Sequence, residues 1–159
     1  MDYLRRKLTV RAQGQSLVLI KRPIESGEHV LQKALLWALY LPRYPNLRVE
    51  VELPQPSRYK PDLLALDRQD DPVFWGECGV VALDKLRFLL NRYRQTHFVF
   101  SKWATRLDPF ADLIQKALPT NHRTAPVELI GFPADADKYI GEDGAISIAS
   151  GNFELRRWD

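Results

Sequence analysis

A chain of 159 residues, with 45% hydrophobic and 27% charged residues, is large enough for one globular domain with a buried core. Its net charge of +3 permits nucleic acid as a partner without requiring it. No apolar run reaches the roughly 20 residues of a membrane helix, no apolar leader follows the basic N-terminus, and the single cysteine, Cys78, can form no internal disulfide. We expect one cytoplasmic domain over residues 1–159 with no membrane partner. The sequence does not indicate an oligomeric state.

The first half of the chain predicts a hairpin, a helix and three strands. Two β-prone runs flank a Gln13-Gly14 turn, and Ser26 is a suitable N-cap for the helix that follows. The predicted hairpin strands are Lys7–Arg11 and Ser16–Lys21, and the predicted helix is Gly27–Leu41. The three predicted strands are Leu47–Leu53, Pro61–Leu66 and Pro72–Cys78.

The second half predicts two helices around a strand, followed by more β-structure. One segment carries an apolar stripe at helical spacing, and Asp108-Pro109 is a typical N-cap with proline at the first helical position. The predicted helices are Ala82–Arg94 and Asp108–Leu118, and the predicted strands are His97–Ser101 and Val127–Phe132. A C-terminal meander is predicted from Lys138–Ile140, Ala145–Ala149 and Asn152–Arg157.

These elements together predict an α/β fold. The strand–helix–strand unit from Glu77 to His97 should be a right-handed crossover between parallel strands. We therefore expect a mixed central sheet flanked by helices, with an added N-terminal hairpin and a C-terminal β-meander.

Two carboxylates could be brought together by a predicted hairpin. Asp62 opens one strand and Glu77 closes the next, so antiparallel pairing can place both at the same end of the sheet. Carboxylates held close repel each other unless they share a cation, and Mg²⁺ is typically bound by one or two carboxylates, water and phosphate oxygens. The spacing is compatible with a Mg²⁺ (or Mn²⁺) site at Asp62 and Glu77.

Asp62 followed across a hairpin by Glu77 resembles the PD-(D/E)XK nuclease motif on its helix–strand–strand–strand–helix–strand frame. The chain is similar in particular to the YaeQ family, small bacterial proteins assigned to that superfamily. The segments that carry the resemblance are ESGEHVLQKALLWALY (Glu25–Tyr40, with Glu28 and Trp37 at matching positions), FWGECG (Phe74–Gly79), the basic pair Lys85 and Arg87, and DGAISIAS (Asp143–Ser150).

The resemblance implies a metal-dependent nuclease that hydrolyses phosphodiester bonds of nucleic acid. In it Asp62 and Glu77 bind Mg²⁺ (or Mn²⁺), and Glu28 completes the metal shell through water. The superfamily motif places a lysine two residues after the glutamate, where this chain has Gly79. Such a lysine helps to position the attacking water and to stabilise developing charge. Lys85, in the first turn of the next helix, is the substitute.

Each candidate residue also has a structural explanation. Asp62 can be a turn residue before a strand, and Glu77 a strand carboxylate that needs a partner. Lys85 can be an exposed helix residue, and Glu28 a first-turn carboxylate favoured by the helix dipole.

Two other functions remain open. A catalytically inactive module that binds nucleic acid or a partner protein is favoured by Gly79, and a cysteine hydrolase would use Cys78 as nucleophile and His97 as base. Basic clusters permit a nucleic acid partner but are more simply explained as solvated surface; they are Arg5, Arg6 and Lys7, and Lys85, Arg87, Arg92 and Arg94.

Overall fold

The computed structural model describes residues 7–120 and 122–159, so that Arg5 and Arg6 of the N-terminal basic cluster lie outside the described residues. Within this part of the chain there are eight strands and three α-helices. In chain order they are β1 (Lys7–Ala12), β2 (Gln15–Ile20), α1 (Gly27–Tyr40), β3 (Arg48–Val49), β4 (Leu63–Leu66), β5 (Pro72–Cys78), α2 (Leu83–Arg92), β6 (His97–Trp103), α3 (Asp108–Ala117), β7 (Val127–Phe132) and β8 (Glu154–Trp158). A 3₁₀ helix covers Ala136–Tyr139.

Strands β3 to β8 form one mixed sheet in the order of the chain, and β1 and β2 form a separate antiparallel hairpin. Strands β5, β6 and β7 are parallel to one another, while β3, β4 and β8 run antiparallel to their neighbours. The parallel pairing of β5 with β6 around α2 confirms the predicted crossover. The predicted mixed α/β sheet with flanking helices and an N-terminal hairpin is also confirmed.

Apolar side chains fill both faces of the sheet. Successive residues of a strand point to opposite faces, so Phe74 packs with α1 and the hairpin while the neighbouring Trp75 packs with α2 and α3. The first face buries most of α1, from Val30 to Ala38. No helix in the described ranges is long and apolar enough to cross a membrane.

Local signals set several element ends as predicted. The Ser26 hydroxyl accepts a hydrogen bond from the backbone N–H of His29 at 3.1 Å and caps α1. Gln13 and Gly14 have φ of 51° and 72°, the left-handed pair that a two-residue hairpin turn requires. Asp108 is not the N-cap that we predicted. Leu107 holds that position, and the Asp108 carboxylate forms ion pairs with arginines instead.

The first strand of the sheet is much shorter than its alternating pattern predicts. Regular pairing covers Arg48–Val49 only, because Glu50 adopts a φ of 56° and turns the chain out of the ladder. The Glu50 carboxylate then lies 2.7 Å from the amine of the buried Lys33. An ion pair with α1 therefore replaces the predicted continuation to Leu53.

The C-terminal meander forms only in part. Of its three strands only the last forms, as β8, while residues 140–146 make isolated bridges. This segment also bonds to the hairpin, where the Arg11 N–H donates to the Gly144 carbonyl at 2.8 Å. A Cβ at Gly144, whose φ is +86°, would lie 2.4 Å from the Thr9 carbonyl oxygen, so the close approach requires glycine.

Candidate functional site

Asp62 and Glu77 lie opposite each other at the end of the β4–β5 ladder. The register pairs Leu63 with Gly76, and the Asp62 N–H donates to the Gly76 carbonyl at 3.1 Å, which places Asp62 across from Glu77. The Asp62 carboxylate turns toward β5, where its Oδ2 accepts a hydrogen bond from the Cys78 N–H at 2.8 Å. The structure therefore brings the two predicted carboxylates together.

Glu77 is 5% exposed, and both of its oxygens have a donor. Trp75 Nε1 donates to Oε1 at 2.9 Å, and Lys85 Nζ donates to Oε2 at 3.1 Å. Burial and the nearby charge of Asp62 outweigh these donors and raise the pKa of the Glu77 carboxyl. Glu77 is thus a buried carboxylate in a cluster where a further positive charge would be favourable.

Lys85 reaches the site from the first turn of α2, as predicted. Its amine lies between the Glu77 carboxylate and the ring of Tyr59, whose centroid is 5.0 Å away. The cation–ring contact and the ion pair together fix the amine beside the carboxylates.

His29 links Asp62 to α1. Its Nε2 lies 3.5 Å from Asp62 Oδ2, and its Nδ1 is hydrogen-bonded to Glu25, four residues earlier. The hydrogen bond with Asp62 raises the pKa of the His29 imidazole above its usual value, against the opposing effect of burial. Burial would also raise the pKa of Asp62, but the bonds with His29 and the Cys78 N–H outweigh it and lower that pKa.

Lys33 extends this chain of charges into the core. Its side chain is 1% exposed and forms ion pairs with Glu25 and Glu50. An amine buried in this way is stable only when paired, which the two carboxylates achieve. Our sequence analysis missed His29 and Lys33, although their spacing of four residues places both on one face of α1.

Glu28 does not join these residues. It is exposed on α1, and its carboxylate forms no hydrogen bond or ion pair within the described part of the chain. The helix directs His29, not Glu28, toward Asp62. A water-mediated role for Glu28 stays a prediction.

The backbone explains why no lysine side chain stands at position 79. Gly79 has φ +86°, a conformation that side-chain-bearing residues rarely adopt. An amine nevertheless reaches this position, because Lys102 of β6 donates to the Gly79 carbonyl at 2.7 Å. Lys102 was also missed. Its signal is the parallel β5–β6 register, which pairs Cys78 with Ser101, the residue before Lys102, and which only the structure supplies.

The Cys78–His97 pair expected for a cysteine hydrolase does not form. In the β5–β6 register His97 lies opposite Phe74, so it is roughly 13 Å along the strands from Cys78. The Cys78 thiol is buried, and burial raises its pKa well above the ordinary value. His97 is bound instead to Glu128 and Tyr44. The geometry therefore excludes Cys78 and His97 as a nucleophile–base pair.

The donor set fits a hard divalent cation. Asp62 and Glu77 are neighbouring carboxylates, and the described residues contain no group of three or more His, Cys, Asp or Glu side chains arranged as a metal cage. Mg²⁺ and Mn²⁺ accept such sparse sites, because water and substrate phosphate oxygens supply the remaining ligands. Zn²⁺, which prefers three or four protein ligands, fits poorly.

No family model and no curated protein sequence matches the chain. Solved structures do match it. The YaeQ protein from Pseudomonas syringae has a TM-score of 0.57 and 16% identity, covering 94% of this chain and 89% of that one. The YaeQ protein from Xanthomonas axonopodis pv. citri has a TM-score of 0.51 and 22% identity, covering 79% of this chain and 72% of that one. The chain therefore has a YaeQ-like fold.

Proposed function

We propose that the protein is a Mg²⁺- or Mn²⁺-dependent nuclease of the PD-(D/E)XK type that hydrolyses phosphodiester bonds of nucleic acid. The observation that supports it most is that Asp62 lies directly opposite the buried Glu77 on the adjacent strand, while the Lys85 amine donates to the Glu77 carboxylate. This combination of two acids and one cation is the one that the superfamily resemblance implies.

Asp62 and Glu77 would hold the metal ion. A bound Mg²⁺ lowers the pKa of water and offsets negative charge on a phosphate. Lys85 would donate to the attacking water or to the phosphate oxygen on which charge develops. His29, oriented by Glu25, keeps Asp62 ionised and turned toward β5, and therefore acts as a positioning residue.

The experiment is a titration of the protein with Mg²⁺ and Mn²⁺ by calorimetry, with cleavage assays on single- and double-stranded DNA and RNA. Asp62→Asn and Glu77→Gln should each weaken metal binding by at least about tenfold and abolish metal-dependent cleavage. The matched controls are Asp112→Asn and Glu142→Gln, which change the same groups at exposed positions. Both controls should behave as wild type.

Cleavage that survives Glu77→Gln would remove Glu77 from the mechanism. Metal binding without cleavage on any substrate, or no metal binding at all, would favour the alternative of an inactive nuclease-fold module that binds nucleic acid or a partner protein. Circular dichroism of each variant separates these outcomes from loss of the fold.

A further inference from the structure

A groove of about 480 Å³ opens beside the carboxylate site, at the carboxyl ends of β5 and β6. It begins at Gly79, two residues after Glu77. Ligands of open α/β sheets bind at this edge, outside the carboxyl ends of parallel strands. The apolar part of its lining consists of Val80, Val81, Trp103, Pro109, Phe110 and Leu113.

Val80 is the part of this apolar lining, called the apolar wall below, that is most open to solvent. Its side chain is 94% exposed, because Gly79 turns the chain outward with its positive φ. A fully exposed branched apolar side chain beside other apolar groups is a surface for a flat apolar ligand face.

The polar groups of the groove are mainly hydrogen-bond donors. Lys102 lies at its base, over the ring of Phe110 at 4.2 Å from the centroid. Gln32 is 4% exposed and its Oε1 accepts from the Ser101 hydroxyl at 2.6 Å, while its NH₂ group has no hydrogen bond to any residue that the structure describes. Arg106 stands at the rim, where its guanidinium also pairs with the exposed Asp108 at 2.9 Å, and no carboxylate lines the groove itself. The lining therefore complements an anionic ligand with acceptors on its edge.

We propose that this groove binds an unpaired base of single-stranded nucleic acid, adjacent to the phosphate at Asp62 and Glu77. The position of that phosphate rests on the proposed function. A nucleobase offers an apolar face to the wall and acceptors to Lys102 and Gln32, and Arg106 meets the neighbouring phosphate. A base stacked inside a duplex exposes neither face, so the groove selects single strands.

The test is fluorescence anisotropy with 5′-fluorescein-labelled hexathymidylate at low salt in EDTA, where metal-dependent cleavage cannot occur. Wild-type protein should bind the hexamer at least about tenfold more tightly than an abasic hexamer of the same charge, and more tightly than a blunt duplex of equal length. Val80→Glu, which adds a negative charge to the open wall, should weaken binding by about tenfold or more. Val18→Glu is the matched control, because Val18 is half exposed on the hairpin and outside the groove lining.

Four results would each overturn the proposal that the groove binds a base. They are equal affinity for the abasic hexamer, a preference for the duplex, no binding by wild type, and unchanged binding by Val80→Glu. Because the assay contains no divalent metal, it is independent of hydrolysis. If the protein cleaves nothing but its binding depends on the base and is weakened by Val80→Glu, the groove proposal stands and the proposed nuclease function is refuted.

Discussion

The amine of Lys85 lies 3.1 Å from Glu77 Oε2, so a lysine from α2 neutralises a carboxylate at the end of β5. The same amine contacts the ring of Tyr59. The positive φ of Gly79 disfavours a side chain at the sheet position itself. The cation is therefore supplied by Lys85 from the neighbouring helix, and its amine reaches the Glu77 carboxylate directly.

Lys85→Met should lower metal-dependent cleavage by about a hundredfold, the size typical of losing one donor to developing charge. Metal affinity should stay equal or increase, since a positive charge next to the metal ligands is removed. Single-turnover kinetics and calorimetry on the same variant measure the two effects separately. Lys116→Met, at an exposed position of α3, is the control. A parallel loss of metal affinity would make Lys85 a structural residue of the site.

His29→Gln should flatten the pH dependence of metal binding. The bond with Asp62 raises the pKa of His29, so the wild-type imidazole is protonated at mildly acid pH and opposes a cation at Asp62. Wild-type affinity should therefore rise with pH through the range above 6.5, while the variant changes little over that range. Calorimetry at several pH values measures this.

Glu28→Gln is the neighbouring control on α1, and its exposed carboxylate should leave metal affinity and pH profile unchanged. A loss of affinity in Glu28→Gln would support the water-mediated role inferred from the sequence. A pH profile of His29→Gln that matches wild type would assign the pH dependence to another group.

A second ionic cluster should govern acid stability. Burial would raise the pKa of Glu128, but the hydrogen bond from His97 and the charges of His97 and Arg157 outweigh it and lower that pKa. A carboxyl with a lowered pKa stabilises the fold above its unfolded pKa of about 4.3, and this stability is lost as pH falls through the lower, folded value.

Glu128→Gln should therefore reduce the free energy of unfolding by about 3 kcal/mol at pH 7, because it leaves the other charges of a buried cluster without their partner. The difference from wild type should narrow below about pH 4. Urea titrations from pH 7 to 3 measure it, with Glu142→Gln as the exposed control. A difference that is constant with pH would exclude the titration of Glu128 as its cause.

Arg123 should be the costliest single arginine to replace among the contacts described. Its guanidinium is buried and donates to the backbone carbonyls of Leu90, Tyr93 and Thr96, at the end of α2. Burial lowers its pKa to about 10, so it remains charged at neutral pH. Arg123→Met removes all three of these hydrogen bonds and should cost about 3 kcal/mol in urea unfolding. Arg68→Met, at an exposed position, should cost little.

Local sequence signals predicted the elements whose ends depend on nearby residues. Ser26 and the Gln13-Gly14 turn are examples, because a cap or a tight turn is decided by a few adjacent dihedral angles. The predicted strand Leu47–Leu53 was too long, because the alternating pattern carries no sign of the Lys33 amine that holds Glu50. Two of the three C-terminal strands did not form as regular strands for a similar reason, since their segment bonds in part to the hairpin.

The candidate site divides in the same way. The order of strands and turns indicated that Asp62 and Glu77 could meet, because a short hairpin has few possible registers, and the resemblance to the nuclease motif gave the pair its proposed role. Lys85 was proposed from the resemblance, as a substitute on the next helix for the lysine that the motif places at position 79. The sequence analysis also proposed Glu28. The spacing of residues along α1 did not reveal that Glu28 lies on an exposed face of the helix.

Only the tertiary structure brought His29, Lys33 and Lys102 to this end of the sheet. Each comes from an element that is not adjacent in sequence to both carboxylates, and its approach depends on how α1 packs and how β6 aligns with β5. The sequence by itself determined which residues are chemically able to act and which elements carry them. Long-range packing and strand register decided which side chains meet, because those contacts arise only when distant segments share one buried core.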